Sequence, residues 1–414
     1  MSRFHPRILH YSHDTYGLGH LRRTMAISNQ LVKDRPDTRQ LILTGSMVAG
    51  AFDLPPNLDI IKLPALTKRS DGQYSARSLP LSLAATIAWR EQMILQAAIA
   101  FEPDLMLVDK TPAGVHGELL PTLRFLKTWK PLTRLLLGMR DIEDNREATR
   151  VEWESSNARQ LHETVYDGLL YYGERKVFDP VSEYGMSPRA ASKLISCGYL
   201  AGAQPTRSRE ILRKELDACD RPLIVVTVGG GGDGFILLKT YIDALESDLE
   251  LADAQSLLVT GPLMTRSDRK ILSKAAHTSH LQQLKFTPDL VSYLAAADLV
   301  ISMAGYNTVC EILSQGVRSL LVPRVKPRQE QKLRAELLAE RGLVRILLPD
   351  ILTPERLANE IHAALDAPPP KITLKLDGLQ RASQNILKFI DIGHPEPSLV
   401  LTSTNHGQRH WDHN

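Results

Sequence analysis

A chain of 414 residues is longer than one hydrophobic core usually organises, so two domains are the first expectation. Hydrophobic residues at 43% and charged residues at 23% are ordinary for a globular protein, and a net charge of +3 gives no ground for nucleic-acid binding. Cys197, Cys219 and Cys310 lie far apart without C-x-x-C spacing, which suggests neither a disulfide framework nor a zinc site and fits a reducing cytosol.

The first residues hold too short an apolar run for a signal peptide, and no stretch approaches the length that spans a bilayer. A cytoplasmic protein, peripheral on the inner membrane face at most, is expected. Residues 8–11 form a short apolar strand that runs into Gly17, Leu18, Gly19 and His20, after which Leu21, Met25, Ile27, Leu31 and Val32 recur at helical spacing. Strands at 40–44 and 58–63, a helix over 81–101 and a strand at 104–108 closed by Asp109 follow. Further strands at 135–138 and 169–172 flank a helix over 147–165, and 194–199 ends this half. Strands alternating with helices predict a parallel, doubly wound sheet.

Residues 201–209 read as a linker. The pattern then restarts at 221–233, where an apolar run feeds Gly229, Gly230, Gly231 and Gly232, the opening of a second Rossmann-like unit. It continues through 256–261 and 281–286 to the stretch DLVISMAGYNTVCEILSQGVRSLLVPRVKPRQEQKLRA, which begins at Asp298. There the strand Leu299, Val300, Ile301 turns at Gly305, and Asn307 or Thr308 is placed to cap a helix that Gly316 ends. A strand that passes through glycine into a helix presents free N–H groups and a positive dipole end, a ready site for phosphate. A strand at 344–347 and helices at 354–365 and 378–390 complete the pattern.

Several motifs are informative by what they lack. The strand after the glycine run ends in Thr260, Gly261 and Pro262, with no acidic residue for a ribose, which disfavours NAD. No G-x-x-x-x-G-K-[ST] exists, and His116, Glu118, His162 and Glu163 do not make an H-E-x-x-H zinc helix. His406, His410 and His413 near the end lack a carboxylate or cysteine shell and read as part of a mobile tail. His20, following a strand at the carboxyl edge of the sheet, reads equally as a general base or as a phosphate-facing helix start. Arg140 and Asp141 close a strand at the same edge, where they would meet an acceptor's charge or remain a solvated charge run. Residues 79–101, mainly apolar with Lys68, Arg69 and Arg77 nearby, fit a packed helix better than a membrane-docking one.

The stretch from Asp298 to Ala335 resembles the carboxyl-terminal domain of MurG-like, family-28-type glycosyltransferases. Asp298, Leu299, Val300, Ile301, Ser302, Ala304, Gly305, Thr308, Val309, Glu311, Gly316, Val322, Pro323, Gln331 and Ala335 match that pattern in order, while Met303 and Arg334 depart from it. The resemblance implies an α/β protein of the GT-B fold, two Rossmann-like doubly wound domains facing across a cleft. Its parts would be an acceptor domain over 1–203, a nucleotide-sugar domain over 204–376, a helix crossing back over 377–392 and a disordered tail over 393–414. It implies an inverting, metal-independent glycosyltransferase that moves a hexose or N-acetylhexosamine from a nucleotide-diphosphate sugar, UDP-linked, to an acceptor hydroxyl, with no cofactor. The acceptor would be lipid-linked or a polysaccharide.

On this pattern Gly305, Asn307 and Thr308 would hold the donor's diphosphate, Glu311 its ribose, and Glu330 and Gln331 its sugar; Gly229, Gly230 and Gly231 count on the donor side, where the glycine run would cradle phosphate, let an acceptor approach the backbone, or simply make a tight turn. Gly17, Gly19 and Arg140 would face the acceptor, and His20, oriented by Asp109, would be the base, as in several inverting GT-B enzymes. A sugar-nucleotide epimerase of the same fold and a non-catalytic nucleotide-sugar-binding protein remain the alternatives. The Arg334 departure leaves the donor sugar undetermined.

Overall fold

The leucine- and valine-rich runs become strands buried on both faces, as strands between two helix layers must be. The computed structural model describes residues 4–13, 19–51, 53–68, 74–202, 204–275 and 280–393. Strands β1 (Arg7–Ser12), β2 (Arg39–Thr44), β3 (Leu58–Lys62), β6 (Leu105–Asp109), β7 (Arg134–Arg140), β8 (Gly168–Tyr172) and β9 (Leu194–Ser196) form one parallel sheet in the order β3-β2-β1-β6-β7-β8-β9. Between β3 and β6, β4 (Leu66–Lys68) and β5 (Tyr74–Ala76) make a separate antiparallel hairpin. A second parallel sheet orders β12 (Leu281–Leu284), β11 (Gln255–Val259), β10 (Leu223–Thr227), β13 (Leu299–Ser302), β14 (Arg318–Leu321) and β15 (Arg345–Ile346).

Both sheets therefore grow outward from their first strand and then reverse, the doubly wound order that opens a crevice at the carboxyl ends of the two central strands. In the first sheet those strands are β1 and β6, with Tyr11 opposite Val108. In the second they are β10 and β13, with Thr227 opposite Ser302. The helix Gly378–Gly393 packs on the helix Gly19–Asp34 and on β6 and β7, so the chain returns to its first domain.

One expected helix is divided. The helix over 147–165 is two helices, Arg146–Ser155 and Ala158–Thr164, parted at Asn157, whose φ of 55° is left-handed and ends the hydrogen-bond ladder. The long helix Leu83–Phe101, capped by Ser82, sends Arg90 inward to a buried ion pair with Glu118 at 2.6 Å. Glu118 is thus a structural carboxylate. Leu79, Leu81 and Trp89 stay exposed, while Arg69 and the Lys68 side chain lie outside the described residues. No helix among the described residues is long and apolar enough to cross a membrane. His406, His410 and His413 also lie outside them.

Candidate functional site

The two crevices face each other and share one pocket, lined by His20, Arg22, Arg23 and Arg140 from the first domain and by Gly229 to Asp233, Gly305, Tyr306, Asn307, Thr308, Arg324, Glu330, Gln331 and Arg334 from the second. His20 sits in the first turn of the helix after β1, and Asp109 is the last residue of β6, so the switch point between neighbouring strands sets them side by side. Nδ1 of His20 is 2.6 Å from Oδ2 of Asp109. A carboxylate at that distance requires the proton on Nδ1, which leaves Nε2 with a free lone pair.

Arg23 lies one helical turn after His20, three residues being the spacing that stacks side chains on one face. It donates from Nε and Nη2 to both oxygens of Asp109, at 2.9 and 2.7 Å. Although burial works against the charge, Arg23 and His20 together hold the Asp109 carboxyl well below the usual carboxylate range. Burial lowers His20 to about 4; its bond to Asp109 opposes that shift, and the charges of Arg23 and Lys110 reinforce it. The imidazole is neutral and oriented across the whole neutral range, the state that a general base needs. Arg23 was not expected from the sequence, although its spacing from His20 would have placed it on the same face. Gly17 lies outside the described residues, and Gly19 starts the helix, its carbonyl accepting from Nδ2 of Asn307 at 2.9 Å.

On the facing wall the helix Tyr306–Gln315 begins at Gly305 with no side-chain cap. The expected capping by Asn307 or Thr308 is thus corrected: Asn307 reaches across to the first domain instead, and the first N–H groups of the helix carry no side-chain acceptor. A Cβ at Gly305 or Gly229 would meet open space, whereas one at Gly231 would stand 2.1 Å from the carbonyl oxygen of Thr260. Within the glycine run, which lines the pocket throughout, Gly231 also serves the tight turn.

Glu311 is placed differently from expectation. It does not line the main pocket but a smaller adjoining one with Ser314 and Leu200, which shares Arg22, Arg23 and Asn307 with the first. Its Oε1 accepts from Arg22 of the opposite domain, and its Oε2 is buried without a partner. Burial raises its pKa, against the pull of Arg22. Glu330 is buried and accepts from Nη2 of Arg324 at 2.5 Å, while the side-chain oxygen of Gln331 accepts from the Arg324 backbone N–H at 3.0 Å.

The departure at Arg334 has a structural account. This side chain, 1% exposed, donates from Nε and Nη2 to Asp141 at 2.7 and 2.6 Å and from Nη1 to the carbonyl of Ala304 at 2.9 Å. Asp141 is accordingly an anchor between the domains. The ring of Tyr306 lies 5.6 and 5.7 Å from the guanidinium carbons of Arg334 and Arg23. Its hydroxyl donates to the carbonyl of Tyr172 at 2.8 Å and accepts from the N–H of Leu200 at 3.1 Å, both in the first domain. Residues paired across such sequence separations give no local signal.

Residues 224–383 match the model of the glycosyltransferase family 28 C-terminal domain. The second half of this chain is similar to such a domain. A Rhodopseudomonas palustris UDP-N-acetylglucosamine--N-acetylmuramyl-(pentapeptide) pyrophosphoryl-undecaprenol N-acetylglucosamine transferase is 34% identical over 190 residues, 42% of this chain and 50% of that protein. The chain spans about half the length of the curated relatives it matches. Among solved structures, Acinetobacter baumannii MurG aligns with a TM-score of 0.53 at 17% identity, covering 94% of this chain and 98% of its own. A Listeria monocytogenes protein described as a putative UDP-N-acetylglucosamine 2-epimerase aligns with a TM-score of 0.59 at 15% identity over 94% and 96%. At these identities the likeness speaks for the fold, and the fold is GT-B. The matched region holds the uncapped helix start at Gly305, and the domain before it holds His20.

Proposed function

We propose that this protein is an inverting, metal-independent glycosyltransferase whose donor is a UDP-sugar. The observation that carries the proposal is the oriented, neutral His20 on Asp109, facing the uncapped start of the helix Tyr306–Gln315 across one pocket. The diphosphate would rest on the N–H groups of that helix and of Gly229 and Gly230, with the helix dipole and Arg22 meeting its charge. Glu311 would bind the ribose hydroxyls through its unpartnered oxygen, which requires its contact with Arg22 to be shared or released.

Glu330 and Gln331 would contact the sugar. Nε2 of His20 would take the proton of the acceptor hydroxyl as that oxygen attacks the anomeric carbon, and the bond to the departing diphosphate would break on the opposite face. Asp109 would stabilise the imidazolium that results, and Arg23 would keep Asp109 ionised and fixed. Backbone N–H groups and guanidinium charge at the diphosphate would do what a bound metal ion does in other transferases.

The chain would divide as a first, acceptor domain to residue 203 and a donor domain over 204–376, with the helix from 377 returning to the first. A lipid-linked acceptor, as the relatives' names describe, would bring the protein to a membrane surface.

The test is to incubate the purified chain with UDP-N-acetylglucosamine and other UDP-sugars and follow UDP release and product by NMR. UDP formed together with a glycoside of inverted anomeric configuration, without added divalent metal, supports the proposal. Conversion of the free nucleotide sugar to its epimer would support the epimerase reading and sink this one.

A further inference from the structure

One cation of the pocket takes no part in the contacts above. Arg140 ends β7, beside β6 in a register that sets Asp109 opposite Gly138, so it stands on the same wall as the His20–Asp109 pair. Its side chain is 14% exposed, yet the guanidinium makes no hydrogen bond among the described residues. Its Nε is buried without a partner, and its nearest carboxylate, Glu143, is 3.6 Å from Nη2. Every other arginine lining this pocket is bound: Arg22 to Glu311, Arg23 to Asp109, Arg324 to Glu330 and Asp233, Arg334 to Asp141.

Glu143 is also shared. Lys110, which follows Asp109, lies 3.3 Å from the same Glu143 oxygen. Two largely buried cations therefore lean on one carboxylate. Glu330 approaches from the opposite wall but is bonded to Arg324, and Arg328 nearby is bonded to Glu152. Burial and the neighbouring Arg140 lower Lys110 to about 8, as expected of a cation short of counter-charge. A guanidinium with its Nε buried and unmade is costly unless a ligand completes it, and its planar fork matches a carboxylate or a phosphate.

We propose that Arg140, with the charge of Lys110 behind it, forms an anion subsite on the first-domain wall, and that the acceptor carries a carboxylate or phosphate held there while His20 takes the proton of a nearby hydroxyl. The proposal deepens the glycosyltransferase reading and rests on it for the word acceptor. The donor's diphosphate is assigned to the opposite wall, at the helix start behind Gly305, which leaves this subsite for a second anion.

The experiment titrates the full chain, first saturated with UDP, with inorganic phosphate, glucuronate and neutral glucose in a calorimeter. At least one anion is expected to bind at tens of millimolar or below, and glucose is not. Arg140→Gln should weaken the anion roughly tenfold or more while leaving UDP affinity and the melting temperature of the unliganded chain nearly unchanged. Arg140→Lys, which keeps the charge and loses the fork, should fall between. Stronger binding of phosphate identifies a phosphorylated acceptor, and stronger binding of glucuronate an acidic sugar.

The subsite is overturned if neither anion binds the UDP-saturated protein, or if Arg140→Gln binds them equally well. Its assignment to the acceptor is overturned if Arg140→Gln weakens UDP instead. Should UDP itself not bind, the donor reading falls separately, and phosphate titrated into the unliganded protein and Arg140→Gln still decides whether the anion subsite exists.

Discussion

His20 is useful as a base only while it is neutral and its free nitrogen faces the substrate, and two side chains and burial serve that. Asp109 fixes the tautomer, Arg23 fixes Asp109, and burial suppresses protonation down to about pH 4. His20→Ala should lower glycosyl transfer on the order of a hundredfold or more with UDP affinity nearly intact, since the proposed donor contacts lie mainly on the other wall. Asp109→Asn should cost less, because a proton acceptor remains. Steady-state transfer rates beside UDP titrations check both, and a parental rate in His20→Ala would place the base elsewhere. The His20 and Asp109 positions were legible because each ends or follows a predicted strand at the sheet's carboxyl edge. Glu311 was legible as to residue but not as to surroundings, because nothing in the local sequence shows that Arg22 of the other domain lies against it.

At the scale of elements, the two glycine turns look alike in sequence and differ in what surrounds them. Gly231, at φ +87°, backs directly onto the Thr260 carbonyl, whereas Gly305 has an ordinary φ of −63° and open space where a side chain would begin. Gly231→Ala should therefore destabilise the second domain by at least about 2 kcal/mol, through backbone clash and left-handed strain. Gly305→Ala should fold normally and weaken UDP, because its methyl group would stand before the helix start. Urea denaturation and UDP titration of both variants test this contrast; equal stability of the two would contradict it. The parallel, doubly wound class of the sheets was legible from the alternation of buried β-branched and leucine runs with helical periodicity, whereas the order of the strands was not. The break at Asn157 was not, because Glu147 to Val165 keeps helical composition and only one residue's left-handed backbone divides it.

For the whole molecule, the domains are joined by the Asp141–Arg334 pair, by Tyr306 and by the N–H of Gln329, which donates to Asp144 at 2.8 Å. Asp141→Asn would leave the Arg334 charge buried without its counter-charge, an expected loss of about 3 to 5 kcal/mol in chemical denaturation. A loss below about 1 kcal/mol would show that Arg334 finds other compensation. Acid should also unfold the chain early. His10 and His162 are each lowered to about 4 by burial, against opposing contributions from Gln40 and Glu143 respectively. Between the ordinary histidine value of 6.5 and about 4 the unfolded chain binds more protons than the folded one, so stability is present above 6.5 and falls as the pH drops through that window. A urea midpoint that stays flat across it would contradict the two neutral, buried imidazoles.

The ring of Tyr306 has a consequence for recombining such proteins. Its ring carries a guanidinium from each half, and its hydroxyl bonds the backbone of the first, so it is a contact that both halves share. A chimera that takes its second half from a relative lacking this tyrosine would leave both arginines without the aromatic ring they share. Exchange of halves should therefore succeed only when Arg23, Asp141, Tyr306 and Arg334 travel as a set, whatever the specificity of the donor pocket that travels with them.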